Sequence, residues 1–389
     1  MAWLPFQVNV WRGTFGSTPP DYLGGIDTNV PIPGKGRIGL GSGDADIEIA
    51  PDGTVVVADL DFVFNKNNKL QLGVSITRCP PTAASPSDCT TQVLDQSGAD
   101  RPWLTHSGDT FYLTYHDSGN SASIHALRSD DDGVTWKRIT SPLTGQGPLT
   151  GQSTFNNIQG PIVADPNTPG LVYDIYASGE TKTKCCSADF NNIIVSRSTD
   201  GGKSWTAQIV YHAPVGTVLD NIFPSLAVDQ TTSKVYAVWS DGHDVSLSSS
   251  PAGGTSWAAP ETVSDINTAL MPWVAARAGK VDVVYYGSTA KQDDPAGMWN
   301  VYDSQSDDAG ATFDQNLVSD TPNRKGAVCT EGTGCEGGVN RELLDLFEVA
   351  EDPISGKAAI VYTSSEISTY TTPDGVVHKL PEIVLAYEQ

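Results

Sequence analysis

The sequence predicts an all-β chain: a six-bladed β-propeller of four-stranded antiparallel blades, with the N-terminal strand closing the last blade. Three observations predict it. A turn motif, S-x-D-x-G-x-[ST]-[WF], recurs at Ser129–Trp136, Ser198–Trp205 and Ser306–Phe313, and a damaged copy at Ser250–Trp257 has Ala252 in place of the Asp. Self-similarity at such a fixed interval marks a propeller or solenoid. Six short alternating strands precede or replace the motif copies, and five of them end in an aromatic. The last unit stops at its third strand, Glu382–Tyr387, and the alternating segment Phe6–Val10 can supply the fourth, removing an open sheet edge.

Each unit opens on a short strand, usually started by a proline: Pro102-Trp103-Leu104, Pro161-Ile162-Val163, Pro224-Ser225-Leu226 and Pro272-Trp273-Val274. Asp44–Ile47 and Leu346–Val349 hold the same place without proline. The second strands are Val55–Asp59, Phe111–Tyr115, Val172–Tyr176, Val235–Trp239, Val281–Tyr285 and Ala358–Tyr362, assigned from period-2 alternation and β-branched residues. The units are 44–94, 100–140, 157–210, 220–263, 269–318 and 341–389 plus 6–10, within one domain spanning 1–389. In the motif, Ser and Asp bond nearby turn backbone, Gly accepts positive φ, and the terminal ring plugs the hairpin. This is turn chemistry. Calcium at Asp130-Asp131-Asp132 is the competing reading, against which stands the missing ligand spacing and closing Glu of an EF-hand loop.

The chain has 389 residues and a formal net charge of −23 with only 18% charged residues. Such a balance repels nucleic acid and anionic membranes. No run of about 18 apolar residues is present to form a membrane-spanning helix. Cys79/Cys89 and Cys329/Cys335 flank short loops and suit local disulfides, which favours an oxidising compartment. Cys185 and Cys186 are adjacent; a vicinal disulfide, free thiols and a metal site all stay open. The N-terminus lacks the basic start and length of a signal peptide, so a secreted or extracytoplasmic location takes the leader as already removed; the alternative is a cytosolic protein with six thiols.

In a four-stranded blade the A–B and C–D turns share one face, and the B–C and D–A connections share the other. The repeated motif is a C–D turn, so the candidate site lies on the opposite face. Before the first strands stand Arg37, Asp44, Asp46, Asp100, Arg101, Asn157, Gln159, Asp220, Asn221, Met271, Trp273, Arg341, Glu342 and Asp345. After the second strands come Asp59, Asp61, His116, Asp117, the segment 180–189, Asp241, His243, Tyr286 and Glu366. Loops at one end of a rigid scaffold are where function concentrates. Asp59 stands out, because the other five units place Tyr115, Tyr176, Trp239, Tyr285 and Tyr362 at its register. A buried carboxylate there is costly unless it is paired or faces a cavity.

Asp-box (BNR) repeats on a six-bladed propeller resemble the sialidase superfamily over essentially the whole chain. The resemblance implies an acid/base Asp in the first blade's B–C region, hence Asp59 or Asp61. It implies a Tyr nucleophile activated by Glu, for which Tyr362 with Glu342 or Glu366 fits. It implies arginines on a substrate carboxylate, for which Arg101 and Arg341 with Arg37 fit; the positions before the first strands and after the second add Asp44, Asp46, Asp100, Asp220, His116 and Trp273 as candidate binding residues. The chain departs from the family's F/Y-R-I-P motif: unit one reads Gly41-Ser42-Gly43-Asp44-Ala45, and Arg37-Ile38-Gly39 is the nearest echo. The expected function is a secreted glycoside hydrolase on an acidic sugar or glycan, a monomer needing no cofactor, with calcium as the one ion considered. Trp103, Trp273 and Trp299 are candidate stacking platforms. The alternatives are a uronate lyase using His116 or His243 as base, and a non-catalytic glycan- or protein-binding propeller.

Overall fold

The computed structural model describes residues 8–16, 20–26, 31–32, 36–37, 41–64, 70–117, 123–143, 157–179, 190–219, 222–330, 335, 340–343 and 347–389. Its fold is the expected one: all-β, a six-bladed propeller, with one 3-10 turn, Pro86–Asp88, among the described residues. Blade one pairs Gly41–Ile49, Val55–Phe64, Leu70–Cys79 and Thr90–Asp95 in sequence order. Blade two pairs Asp100–Ser107, Thr110–His116, Ile124–Ser129 and Lys137–Arg138. Blade three pairs Asn157–Ala164, Val172–Gly179, Phe190–Ser198 and Thr206–His212. Blade four pairs Ser225–Val228, Val235–Ser240, Val245–Ser250 and Glu261–Thr262. Blade five pairs Thr268–Arg277, Lys280–Ser288, Met298–Ser306 and Asp314–Leu317, with Arg324–Lys325 added beside Met298 and Trp299. All six expected second strands lie inside observed ones.

The chain forms two units: residues 1–174, 178–187 and 195–208, and residues 175–177, 188–194 and 209–389. In the first, Val56, Ala58, Leu60, Val74 and Ile76 of blade one pack on Leu104, Phe111, Leu113 and Tyr115 of blade two. In the second, Tyr236, Val238, Val245 and Leu247 of blade four pack on Val274, Val281, Val283 and Tyr285 of blade five. Each fully buried side chain of this kind contributes about 1.5–3 kcal/mol.

Of the segment expected to close the last blade, Phe6 and Gln7 lie outside the described residues. Among the described residues, blade six has three strands, Glu348–Glu351, Ala358–Thr371 and Val377–Tyr387. The N-terminal strand is Asn9–Arg12, and it pairs antiparallel with Asp21–Gly25. A partner reached through a short loop costs far less closure entropy than one at the other end of the chain. Val10 also finds apolar cover locally, in a cluster with Val57, Cys79 and Ala83.

The repeated motif is built from hydrogen bonds. In the first copy, Ser129 Oγ donates to Asp131 Oδ1 (2.7 Å) and accepts from the Gly133 amide (2.9 Å). Asp131 also accepts from the Thr135 amide (2.8 Å) and hydroxyl (2.7 Å). The copies at Ser198/Asp200 and Ser306/Asp308 repeat these bonds. The three carboxyls are held down at about 2, first by the Thr or Ser hydroxyl and then by its amide. Asp130 pairs with Arg128 at 2.6 Å. Each copy sits against the preceding blade: Gly133 on Val56 and Arg78, Gly202 on Ile139, Gly310 on Tyr236. Blade one carries a disulfide, Cys79–Cys89, where the motif would stand, and a second bridge joins Cys329 to Cys335. Such local bridges persist in oxidising compartments. Cys185 and Cys186 lie outside the described residues.

Gly202 has φ +83°, and a Cβ there would lie 2.3 Å from Ile139 Cδ1. Gly202→Ala is expected to cost about 1–3 kcal/mol through overpacking and backbone strain. The readout is a lower urea midpoint at unchanged slope; an unchanged midpoint would show that Ile139 relaxes freely.

Candidate functional site

Three first strands share a local device. In blade two, Trp103 opposes Thr114 and Asp100 opposes His116, so Arg101 and Pro102 together oppose Tyr115 alone. In blade five, Met271 and Pro272 likewise oppose Tyr285. Blade one bulges between Gly41 and Ala45, opposite the Asp59–Asp61 stretch. Pro102 and Pro272 are tolerated in their strands because a bulge needs no ladder donor there. Arg101, Phe223 and Met271, each just before an opening proline, have φ of +53°, +34° and +55°. Non-glycine residues held in this region concentrate at functional sites, and bulges there re-aim side chains. The sequence signal is the proline; the left-handed residue before it has none.

Asp59 and Asp61, expected at and after the end of blade one's second strand, lie within it, since the strand runs on from Val55 to Phe64; they are 0% and 2% exposed. Two residues apart on a strand, they point to the same side at about 7 Å spacing. Ser75, across the ladder from Asp59, donates its hydroxyl to Asp59 Oδ1 at 3.0 Å. The neighbours in register are small, Ala45 on one side and Ser75 on the other, so the strand has room for a carboxyl where other blades hold a ring.

Blade two brings His116, Asp100 and Arg101 together, and Asn157 of blade three lies beside them. His116 is buried; its burial, with the Arg101 charge, pushes the imidazole down to about 4, against Asp100, Asn157 and Asp117. It is therefore neutral at pH 7. Asp174 is a buried carboxyl of blade three's second strand, raised well above its usual range by burial, with Thr114 and Gln159 opposing.

Other expected site residues have different surroundings. Asp46 accepts the Leu104 amide of blade two at 2.7 Å and the Ile47 amide at 2.8 Å. Burial pushes it up to about 7, with both amides opposing. It thus ties two first strands together. Asp44 is half-buried in the blade-one bulge. The backbone of Arg37 pairs with Pro31 in a short ribbon. Arg341 is half-buried in the segment before blade six, and Asp220 falls outside the described residues, as do Asn221, Asp345 and 180–189.

The two glutamates expected beside Tyr362 have basic partners. Glu366 is engaged by Lys379 and Lys325, and it accepts the Lys325 amide at 3.0 Å. Glu342 pairs with buried Arg324 at 3.1 Å. Tyr362 is raised by burial and by the nearby charge of Asp320. Its register is that of the buried blade aromatics. Tyr286 stacks on Phe347 (centroids 4.6 Å apart) and accepts the Thr363 amide at 3.0 Å. Trp299 and Trp103 are core residues, the Trp299 indole donating to the Gly326 carbonyl at 2.9 Å, while Trp273 is half-buried. His243 is exposed beside Asp244. Among the described residues no group of three or more His, Cys, Asp or Glu is disposed to hold a metal ion.

No family model matches the chain, and no curated protein matches it. Solved structures do. A Penicillium chrysogenum α-L-arabinanase complexed with arabinobiose is similar over 88% of this chain and 92% of that one, with 11% identity and a TM-score of 0.51. A GH74 xyloglucanase from Xanthomonas campestris is similar over 91% of this chain but only 47% of that one, with 15% identity and a TM-score of 0.46. An exo-1,5-α-L-arabinanase from a bovine ruminal metagenomic library is similar over 72% and 96%, with 9% identity and a TM-score of 0.39. At such identities the likeness is one of fold.

Proposed function

We propose that this chain is a secreted glycoside hydrolase on a sialidase-like propeller, acting on an acidic sugar or glycan. The Asp59–Asp61 pair carries the reading. Glycoside hydrolysis needs two groups flanking the bond, one to protonate the leaving oxygen and one to face the cationic transition state, typically about 5–9.5 Å apart. Two carboxyls on one side of a strand, at about 7 Å, fit that need. Asp59 is the acid, its oxygen held by Ser75. Asp61 is the second carboxyl. Arg101, in the bulge of blade two's first strand, is the candidate cation for an acidic substituent. The three Asp-box turns and the arabinanase that shares the fold are consistent with a carbohydrate substrate.

The test is aglycone release from aryl sialosides and aryl arabinofuranosides by the purified protein. Turnover of the sialoside, lost on Arg101→Ala, is the expected result; turnover of the arabinofuranoside alone would remove the acidic-sugar element, and no turnover of either would remove the exo-glycosidase reading. One observation bears on a lyase instead: His116, Asp100 and Arg101 stand together in blade two, an imidazole and a cation of the kind a uronate lyase uses. Ultraviolet absorbance of an unsaturated uronate would mark it.

A further inference from the structure

The N-terminal ribbon breaks the inside–outside rule at two positions. Its strands, Asn9–Arg12 and Asp21–Gly25, place Val10 inward in the cluster with Val57, Cys79 and Ala83, and Leu23 packs against the same cluster. Gly24 lets the ribbon lie on the disulfide loop, since a Cβ there would be 2.6 Å from Pro86 Cγ. The outward register pair is Trp11 opposite Tyr22. These are large rings where the alternation asks for polar side chains, and they are 52% and 58% exposed. The register shift between Val10/Gly24 and Trp11/Tyr22 leaves Leu23 as the extra residue of a bulge in the second strand, which sets Tyr22 opposite Trp11 while Leu23 packs on the inner cluster. The rings stand together, centroids 5.1 Å apart at 40°. The Tyr22 hydroxyl donates to Asn9 Oδ1 at 2.7 Å, and Arg12 Nη1 donates to the Pro81 carbonyl at 3.0 Å, so both flanks are fixed. Arg12 and Asp21, of opposite charge, face each other in the next register pair.

The geometry points to a second carbohydrate-binding surface at Trp11 and Tyr22, separate from the candidate site, that stacks a sugar ring of a glycan chain. Its occupant follows from its shape and rim. The apolar area is two rings wide, enough for one or two pyranose or furanose faces and small for a protein interface. It is bordered by charged and amide side chains that suit hydroxyl groups. Exposed Trp and Tyr combine a flat apolar face with a polar edge at low entropy cost. The inference rests on the proposed carbohydrate substrate, and would hold a polymer near the site during turnover.

Affinity electrophoresis tests it, with sialylated mucin, arabinan or xyloglucan cast in the gel. The wild-type protein should be retarded in at least one of them. Trp11→Ala with Tyr22→Ala should weaken that retardation about tenfold, and Trp11→Phe should keep most of it. Turnover of a small aryl glycoside should be unchanged in all variants. Retardation that survives the double substitution overturns the proposal, as does aryl-glycoside turnover without retardation in any gel. Retardation without turnover supports the surface and counts against the hydrolase. Sedimentation velocity covers the other occupant: a wild-type dimer that dissociates in Trp11→Ala would assign the rings to a second copy and overturn the sugar.

Discussion

Asp59→Asn should lower turnover by about 10²–10⁴-fold, the usual range for removing a general acid, while KM and the urea midpoint stay close to wild type. Asparagine keeps the size of the side chain and an Oδ1 that can accept the Ser75 hydroxyl, so the fold has little reason to respond. It cannot give up a proton to a leaving oxygen. Position sets this residue apart from its neighbours. Tyr115, Tyr176, Trp239, Tyr285 and Tyr362 fill the same register in the other blades, and all are buried. A fully buried carboxyl in that place is expensive, and a ring would have served the blade core at least as well. Aryl-glycoside kinetics on the pair Asp59→Asn and Asp61→Asn decide the assignment. Wild-type turnover in Asp59→Asn with a large loss in Asp61→Asn would move the acid to Asp61. Wild-type turnover in both would sink the carboxyl pair.

The blades were legible because their determinants are local. Alternation sets which residues of Val55–Phe64 face in, and the turn motif closes on itself within a few residues. Phe6–Val10 reads as a strand without naming its partner; among the described residues Asn9 and Val10 pair with the nearby Asp21–Gly25, under apolar cover on blade one. The site was only partly legible. Asp59 showed as an exception to a repeat, and that signal places it without any knowledge of distances. Glu342 and Glu366 looked available beside Tyr362, but Arg324, Lys325 and Lys379 approach them from other strands. Nothing in the spacing of charges along the chain reports such cross-strand pairs. The left-handed Arg101, Phe223 and Met271 were also invisible, since proline restricts the residue before it chiefly away from the helical region and does not call for positive φ.

Stability should fall as pH rises from mildly acidic to alkaline, and the cause lies in blades five and six. Asp282 is fully buried on blade five's second strand; Gln305 donates to its Oδ1 at 2.8 Å, and Lys280 Nζ stands 3.2 Å from its Oδ2. Asp303 of the next strand and Glu351 of blade six's first strand crowd the same carboxyl, with Glu388 on the far side of Lys280 and Asp229 acting on Glu351 from blade four. Burial first, and then Asp282, push Asp303 well above its usual range and Glu351 up to about 9; Lys280 opposes both. These acids therefore keep protons that the unfolded chain releases above about pH 4. In that window the folded form binds more protons, so stability is greatest at the acid end and is lost as pH rises toward 9, by up to about 1.4 kcal/mol per pH unit for each retained proton. The motif carboxyls held near 2 act the other way, losing their contribution as pH falls below about 4. Melting temperatures should thus be higher at pH 5.5 than at pH 8.5. Asp303→Asn with Glu351→Gln makes both groups neutral at every pH and should flatten the slope. Lys280→Met leaves Asp282 and Glu388 without their ammonium and should cost about 3–5 kcal/mol at pH 8, less at pH 5.5, where protons can take its place. A wild-type melting temperature that is flat or rises over this range, or a slope that persists in the double variant, would put the charge balance of this cluster elsewhere.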